Sequence, residues 1–331
     1  MSNAPELFVV VVNYRTADLV IDCLRSLASP AMLPQGTRVV VVDAASNDSS
    51  ADKFADAIEE NGWHSWLDLL PLDVNEGFSY ANNRGKDYLT GRYGRPKYVH
   101  LLNPDTVAKE GSIVALVDFL KENSQVGICG SQLENLDGSN QCCAFRFPSP
   151  IAEFEAEISF RPMTRLLNRW RILPELPDAP TPVGWVSGAS IMIRSEVFDD
   201  IGNLDEGYFL YHEEVDFCLR AARAGWQCWY VPKSHIIHLC GQSTGVTVLD
   251  RRPGRRPAYW FESRHRYFRK NHGSTYTLVA DASWVAGHVL GVVWRTIRRK
   301  PNLESPYLLR DFLKHAWRAN SRKFKDARAP H

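Results

Sequence analysis

The chain has 331 residues, of which 44% are hydrophobic and 23% charged. That composition excludes a disordered, collagenous or coiled-coil chain and allows one large domain or two modest ones, with a core that needs no disulfide or metal staples. Seven cysteines, odd in number and without paired C-x-x-C spacing, together with the absence of a signal peptide at the N-terminus, lead us to expect a reducing, cytoplasmic setting.

Leu7 to Val12 is a continuous apolar run, the pattern of a strand buried on both faces. Leu19, Val20, Cys23, Leu24 and Leu27 then recur at helical spacing. Arg38 to Val42 reads as a second buried strand, and Ser49 and Ser50 as N-caps of a helix through Glu60. A third strand is expected at Trp66 to Leu70 and a helix near Tyr80 to Leu89. Tyr98 to Leu102, Ser112 to Glu122 and Val126 to Gly130 follow as strand, helix and strand. Strands alternating with helices predict an α/β fold with a mainly parallel, doubly wound sheet.

The residues that follow each strand carry the chemistry. Tyr14 follows the first, Asp43 the second, Asn75 and Gly77 the third, Asn103 and Asp105 the fourth. In an open α/β sheet these carboxyl ends converge on one crevice, where ligands bind. Taken singly, Asp43 could cap a helix and Asn75 or Asn103 could serve a turn; jointly they point to a site. There is no G-x-x-x-x-G-K-[ST] and no G-x-G-x-x-G after the first strand, so a phosphate-bearing ligand needs another charge neutraliser. A divalent cation held by a carboxylate would serve, and Asp105, just past a buried strand, is well placed.

The stretches VVVVNYR (Val9 to Arg15), VVDAASNDSS (Val41 to Ser50), NEGFSYANNRG (Asn75 to Gly85) and LLNPDT (Leu101 to Thr106) resemble family 2 glycosyltransferases. So do the long block from Val183 to Trp226 and the histidine-containing VPKSHIIHLCGQST from Val231 to Thr244. The similarity runs through some 240 residues in the family's order, most like its rhamnosyltransferase-like branch. The resemblance implies a GT-A fold, with residues 5–245 as the catalytic domain and 246–331 as a basic, mostly helical extension. It also implies an inverting transfer of a sugar, rhamnose among the candidates, from a nucleotide-diphosphate-sugar to a glycan or lipid-linked acceptor in cell-surface polysaccharide synthesis. Position by position, Tyr14 and Asp43 resemble the residues that hold base and ribose. Asn75, Asn82 and Asn83 would line the nucleotide and sugar-phosphate pocket. Asp105 matches the last acid of the family's D-x-D motif, whose first position is Asn103 here, and His238 matches a histidine that completes the metal site. The implied cofactor is Mg2+ or Mn2+.

Inverting transfer needs a carboxylate to take the acceptor hydroxyl's proton, and the candidates lie in Tyr211-His-Glu-Glu-Val-Asp216. On a helix Glu213 and Asp216 share a face, while Glu214 points about 100° away. The resemblance assigns the base to Glu214, where the family usually has Asp. Asp216 and Arg220 are expected to pair as scaffold. Gly188 and Ala189 would admit the sugar closely, although a plain turn explains Gly188 as well.

The formal net charge of +1 hides a division: from Arg251 onward 19 Lys/Arg face 5 Asp/Glu, whereas residues 1–250 carry 20 against 33. Aromatic residues interleaved with Arg in RRPGRRPAYWFESRHRYFRKNHG could suit nucleic acid, but the acidic, sugar-nucleotide character of the preceding domain counts against that partner. Leu278 to Trp294 is apolar for 17 residues and holds Asp281 and His288, short of the about 20 residues a spanning helix needs. It is expected either to lie on an anionic membrane surface, peripheral at the inner face of the plasma membrane, or to pack on the protein. Two other functional readings stand beside the transferase. One is a catalytically degenerate relative that binds a glycan or partner; the other is a sugar nucleotidyltransferase, against which the absence of a Gly-rich phosphate loop counts.

Overall fold

The computed structural model describes residues 5–29, 31–158, 160–239, 254–301 and 304–321. Residues 240–244 of the histidine-containing segment, 251–253 at the start of the basic tail and its end at 322–331 lie outside the described residues. In chain order the elements are β1 (Leu7–Asn13), α1 (Ala17–Leu27), β2 (Arg38–Asp43), α2 (Ser50–Asn61), β3 (Leu67–Pro71), α3 (Phe78–Tyr93), β4 (Tyr98–Leu102), β5 (Thr106–Ala108), α4 (Ser112–Glu122) and β6 (Val126–Glu134). There follow β7 (Ala144–Phe145), α5 (Pro150–Ile158), α6 (Arg161–Leu166), β8 (Thr181–Val183), β9 (Trp185–Val186), β10 (Ser190–Arg194), α7 (Ser195–Ile201), α8 (Glu213–Arg223), β11 (Gln227–His238), α9 (Ala258–Ile297) and α10 (Leu308–Ser321).

Two compact units result. The first holds the chain up to Phe147, Leu173–Phe209 and the stretch from Glu213 through β11; the second holds Pro148–Ile172, Leu210–His212 and the C-terminal helices.

In the first unit the described residues form a nine-stranded sheet in the order β3-β2-β1-β4-β10-β6-β11-β5, with β8 paired to β11. From β3 to β4 the strands are parallel, and every residue of β1 is buried, as the uninterrupted apolar runs require. The far half departs from the expected winding. Antiparallel β10 lies between β4 and β6, and antiparallel β5 and β8 flank β11, so the sheet is mixed. β10 is only five residues long with three consecutive apolar positions, Ile191 to Ile193, too short to announce itself by period.

Local packing follows from residue size. Ala17, Val20, Cys23, Leu24 and Leu27 form the buried stripe of α1. The turn into α2 is closed by Asp48, whose Oδ1 accepts the Ser50 N–H at 2.9 Å, while Ser49 makes no side-chain cap. The Ser50 hydroxyl, together with that N–H, holds the Asp48 carboxyl below its ordinary pKa. α3 rests directly on β1 and β2 because Gly85 faces them: a Cβ there would lie 2.7 Å from both Val10 Cγ1 and Val42 Cγ2. Gly85→Ala is therefore expected to destabilise the fold by roughly 1–3 kcal/mol through overpacking, measurable as a lower urea midpoint with an unchanged slope.

The second unit is a helical bundle. α9 is broken at Gly273 (φ 81°, ψ 177°), a conformation that favours glycine. Beyond the break Thr277, Ala280, Asp281, Trp284, Gly287, His288 and Gly291 are buried. Gly287 and Gly291 let α5 come close, since a Cβ on Gly287 would meet Phe154 O at 2.5 Å. Arg264 is buried between Glu153 (2.7 Å) and Asp281 (2.5 Å), His288 meets Glu157 at 2.9 Å, and Trp284 stacks on Phe312. Removing Arg264 would leave both buried carboxylates without their cation, a strongly destabilising change.

Candidate active site

The carboxyl ends of β1 and β2 are in register, Asn13 opposite Asp43. Asp43 Oδ1 accepts from Asn13 Nδ2 at 2.6 Å and Ser46 Oγ at 2.5 Å, and Oδ2 accepts the Ser46 N–H at 3.2 Å. Ser46 Oγ in turn accepts the Arg15 N–H at 2.9 Å. The two loops are thus tied together through one carboxylate. Arg15, Ala45 and Asn47 all sit at positive φ (59°, 52° and 52°), backbone strain that collects at ligand-binding turns. Tyr14 is 44% exposed beside this hub, with the Arg15 guanidinium 5.2 Å from its ring centroid. Oδ2 keeps acceptor capacity for an incoming hydroxyl or N–H.

After β3, Asn75 Oδ1 accepts the Gly77 N–H at 3.0 Å. Gly77 has φ 99°, and a Cβ there would fall 2.2 Å from Phe209 O, which already accepts the Phe78 N–H at 2.8 Å. Both the dihedral and the close approach require glycine. In the first turns of α3, Asn82 Nδ2 donates to Phe78 O at 2.9 Å, while Asn82 Oδ1 and Ser79 Oγ are buried with no protein hydrogen-bond partner. Asn83 is placed differently. Its Nδ2 donates to Leu204 O (2.9 Å) and Glu206 Oε1 (3.0 Å), and its Oδ1 accepts the Leu204 N–H (3.2 Å). Its amide braces the 204–206 loop.

Asp105, 1% exposed, follows β4. His238, the last residue of β11, is brought beside it by the β5–β11 pairing of His238 with Thr106, and His238 Nε2 lies 3.5 Å from Asp105 Oδ1. The orientation of the imidazole is set by Gln141. The Gln141 Nε2 group donates to His238 O at 2.7 Å, which turns Gln141 Oε1 toward His238 Nδ1 at 3.1 Å. With Nδ1 held by Gln141, Nε2 faces the Asp105 side, the geometry of a ligating histidine with an outer partner. No cluster of three or more His, Cys, Asp or Glu suited to a metal occurs among the described residues. One carboxylate and one imidazole fit a cation that shares its remaining positions with phosphate oxygens and water.

Glu213 and Glu214 open α8. Just before them Tyr211 and His212 hold positive φ (70° and 69°), at a cost on the order of 1–3 kcal/mol each. Burial pushes the Glu214 carboxyl up to about 7, against the opposing pull of backbone N–H groups at the helix start. Burial and the neighbouring Glu214 push Glu213 well above the ordinary range. Asp216 pairs with Arg220 at 2.8 Å, accepts from Tyr208 OH at 3.3 Å and is wholly buried, a scaffold role.

Gly188 is where these loops meet. Its φ is not positive, so turn geometry does not demand glycine. A Cβ added there would point at Phe78 Cε1 (3.9 Å) and at Glu214 Cδ and Oε1 (4.0 Å), so the missing side chain leaves space beside that carboxylate. The next residue, Ala189, accepts the Asn103 N–H at 3.0 Å, which ties the Asp105 loop to the same turn. Gln141 gains its meaning only here: it lies 97 residues from its histidine, and no local pattern marks it.

A mixed sheet of this winding, with polar groups gathered at its strand ends, is the GT-A glycosyltransferase fold. A mannosyltransferase from Pyrobaculum calidifontis, solved in complex with GDP-Man and Mn2+, superposes with a TM-score of 0.57 at 14% identity, covering 99% of this chain and 89% of that one. Residues 5–273 match the model of the family described as glycosyltransferase like family 2, and the chain belongs to that family. It is 32% identical over 272 residues to the N-acetylglucosaminyl-diphospho-decaprenol L-rhamnosyltransferase of Mycobacterium tuberculosis, 78% of this chain and 79% of that protein. To the rhamnosyltransferase WbbL of Escherichia coli it is 27% identical over 169 residues, 49% of this chain and 60% of that protein. The chain is a rhamnosyltransferase-like glycosyltransferase of glycan synthesis.

Proposed function

We propose that this enzyme moves a rhamnosyl group, with inversion, from a nucleoside-diphosphate-rhamnose to a saccharide acceptor carried on a lipid diphosphate. The similarity to the mycobacterial decaprenol-linked rhamnosyltransferase over most of both chains supports the substrate class. The observation that carries the mechanism is the Glu214 carboxylate, titrating near neutrality beside the space left by Gly188. In the reaction the acceptor oxygen attacks the anomeric carbon as the bond from that carbon to the diphosphate oxygen breaks. The hydroxyl proton passes to Glu214, and the nucleoside diphosphate leaves. A base with a pKa near the working pH is suited to that transfer. Asp43 and Tyr14 would hold ribose and base, while Asn75 and Asn82 position the first turn of α3 against the sugar diphosphate and Asn83 braces the neighbouring loop. Asp105 and His238 would hold a divalent cation, Mg2+ or Mn2+. Such a cation neutralises the charge that develops on a departing diphosphate.

A thermal-shift panel of UDP, dTDP, GDP and CDP, each with and without Mn2+ or Mg2+, tests this reading. A ligand bound only by the folded state raises the midpoint by mass action, about 2.7 kcal/mol at a hundredfold excess over Kd. One nucleotide is expected to shift the midpoint far more with the cation than without it. No shift with any of them would favour a glycan-binding relative that has lost catalysis, and release of pyrophosphate during turnover would favour a nucleotidyltransferase.

A further inference from the structure

The second half of α9 is apolar on two opposite faces, and the packing of the bundle accounts for one of them. The buried face, from Thr277 to Gly291, carries the contacts with α5 and α10 described above. On the other side Leu278, Val279, Val289, Leu290, Val293 and Ile297 are 43–68% exposed. At 3.6 residues per turn these six fall within an arc of about 120°, and exposed Ala282 and Ala286 fill the gaps between them. On α10, Leu313 and Trp317 are likewise 48% and 72% exposed, one turn apart.

The charge around this surface has one sign. Between residues 274 and 321 the acidic residues are Asp281, Glu304 and Asp311, and each is tied to an arginine: Asp281 to Arg264, Glu304 to Arg295 and Asp311 to Arg255. The ionised groups left facing solvent are cationic. Arg298, Arg299 and Lys300 stand exposed where the apolar stripe ends, and Arg310, Lys314 and Arg318 lie along α10.

We propose that the exposed stripe of α9 docks this enzyme on an anionic phospholipid surface, the helix lying in the plane of the headgroups with Arg298, Arg299 and Lys300 at the phosphates. An apolar face with cations at its margin is the pattern of an interfacial helix. A second copy of the chain is disfavoured as the occupant because it would bring two cationic rims together. α9 is long and apolar enough to cross a membrane, but its opposite face holds Asp281 against Arg264 and His288 against Glu157, and crossing would strand those ion pairs in hydrocarbon. The proposal stands apart from the base and cation assignments, which a soluble assay reads separately.

The test is flotation of the full chain with vesicles of phosphatidylcholine alone and of phosphatidylcholine with phosphatidylglycerol. The chain is expected to float with the anionic vesicles, to be released by salt, and to bind neutral ones far more weakly. Leu290→Asp with Val293→Asp should lower flotation more than tenfold, and Arg299→Glu with Lys300→Glu should lower it by about fivefold or more for each cation lost. Both double variants should keep the nucleotide-induced thermal shift of the parent, which shows that they fold. The proposal is overturned if the parent ignores anionic vesicles, or if the variants float as well as it does. It is equally overturned if bound protein resists alkaline carbonate, the sign of a spanning helix, or if sedimentation finds a dimer that Leu290→Asp with Val293→Asp dissociates.

Discussion

Glu214→Gln is expected to lower the transfer rate by roughly 10²–10⁴-fold, the usual contribution of a positioned general base, with nucleotide affinity nearly unchanged. The side chains are nearly isosteric, so the loss reports proton transfer and not shape. In the parent, kcat/KM should rise as pH increases through about 7, because burial holds the Glu214 carboxyl protonated up to that point and only the carboxylate accepts a proton. The variant should lose that limb. Its stability should change in a matching way. A carboxyl whose folded pKa is raised from 4.5 to about 7 contributes stability that is present below the unfolded value and lost as pH rises through the folded one. Above pH 7 the variant should therefore be the more stable protein, and near pH 4.5 the two should converge. Denaturant titrations at both pH values check this. A variant with near-parental rate would move the base to Glu213 or Asp216.

Asp105→Asn is expected to act at the other end of the reaction. On the proposed reading the carboxylate would supply one of two cation ligands with His238, and losing it should abolish the metal-dependent part of the nucleotide thermal shift. Transfer should fall by roughly a hundredfold or more, as expected when the charge on a leaving group is no longer neutralised. The amide keeps the size of a fully buried side chain, so folding should be retained, and the residual metal-independent shift would demonstrate it. An Asp105→Asn protein that still shows the full cation-dependent shift would place the cation on other ligands.

The two variants differ in how much of their logic is visible before folding. Asp43 and Asp105 follow runs of buried Val and Leu, and a strand end in an open α/β sheet already predicts a crevice position. Glu214 lies in an acidic cluster whose spacing separates it from Glu213 and Asp216, and its resemblance to a known catalytic block supplies the role. The Asp216–Arg220 pair follows from i,i+4 spacing alone. These are local relations, decided over distances of four residues or within one strand.

Asn83 shows where that reasoning stops. Beside Asn82 in sequence it looks like a second pocket amide, yet helical geometry turns it about 100° away, where it meets Leu204 and Glu206. Gln141 and His238, Gly188 and Glu214, and Asn103 and Ala189 each join segments far apart in the chain, so their partnership exists only once β10 and β11 have closed the sheet. The same holds for α9, whose apolar composition is plain from the residues while the division into a packed face and an exposed face is not. The chain's own periodicity and strand-end chemistry determine the fold class, the parallel half of the sheet and the identity of the acidic groups. The antiparallel half, the elevated pKa of Glu214, the orientation of the His238 ring and the exposed side of α9 are decided by the tertiary structure, because burial and long-range pairing set solvation and orientation and neither is encoded at any single position.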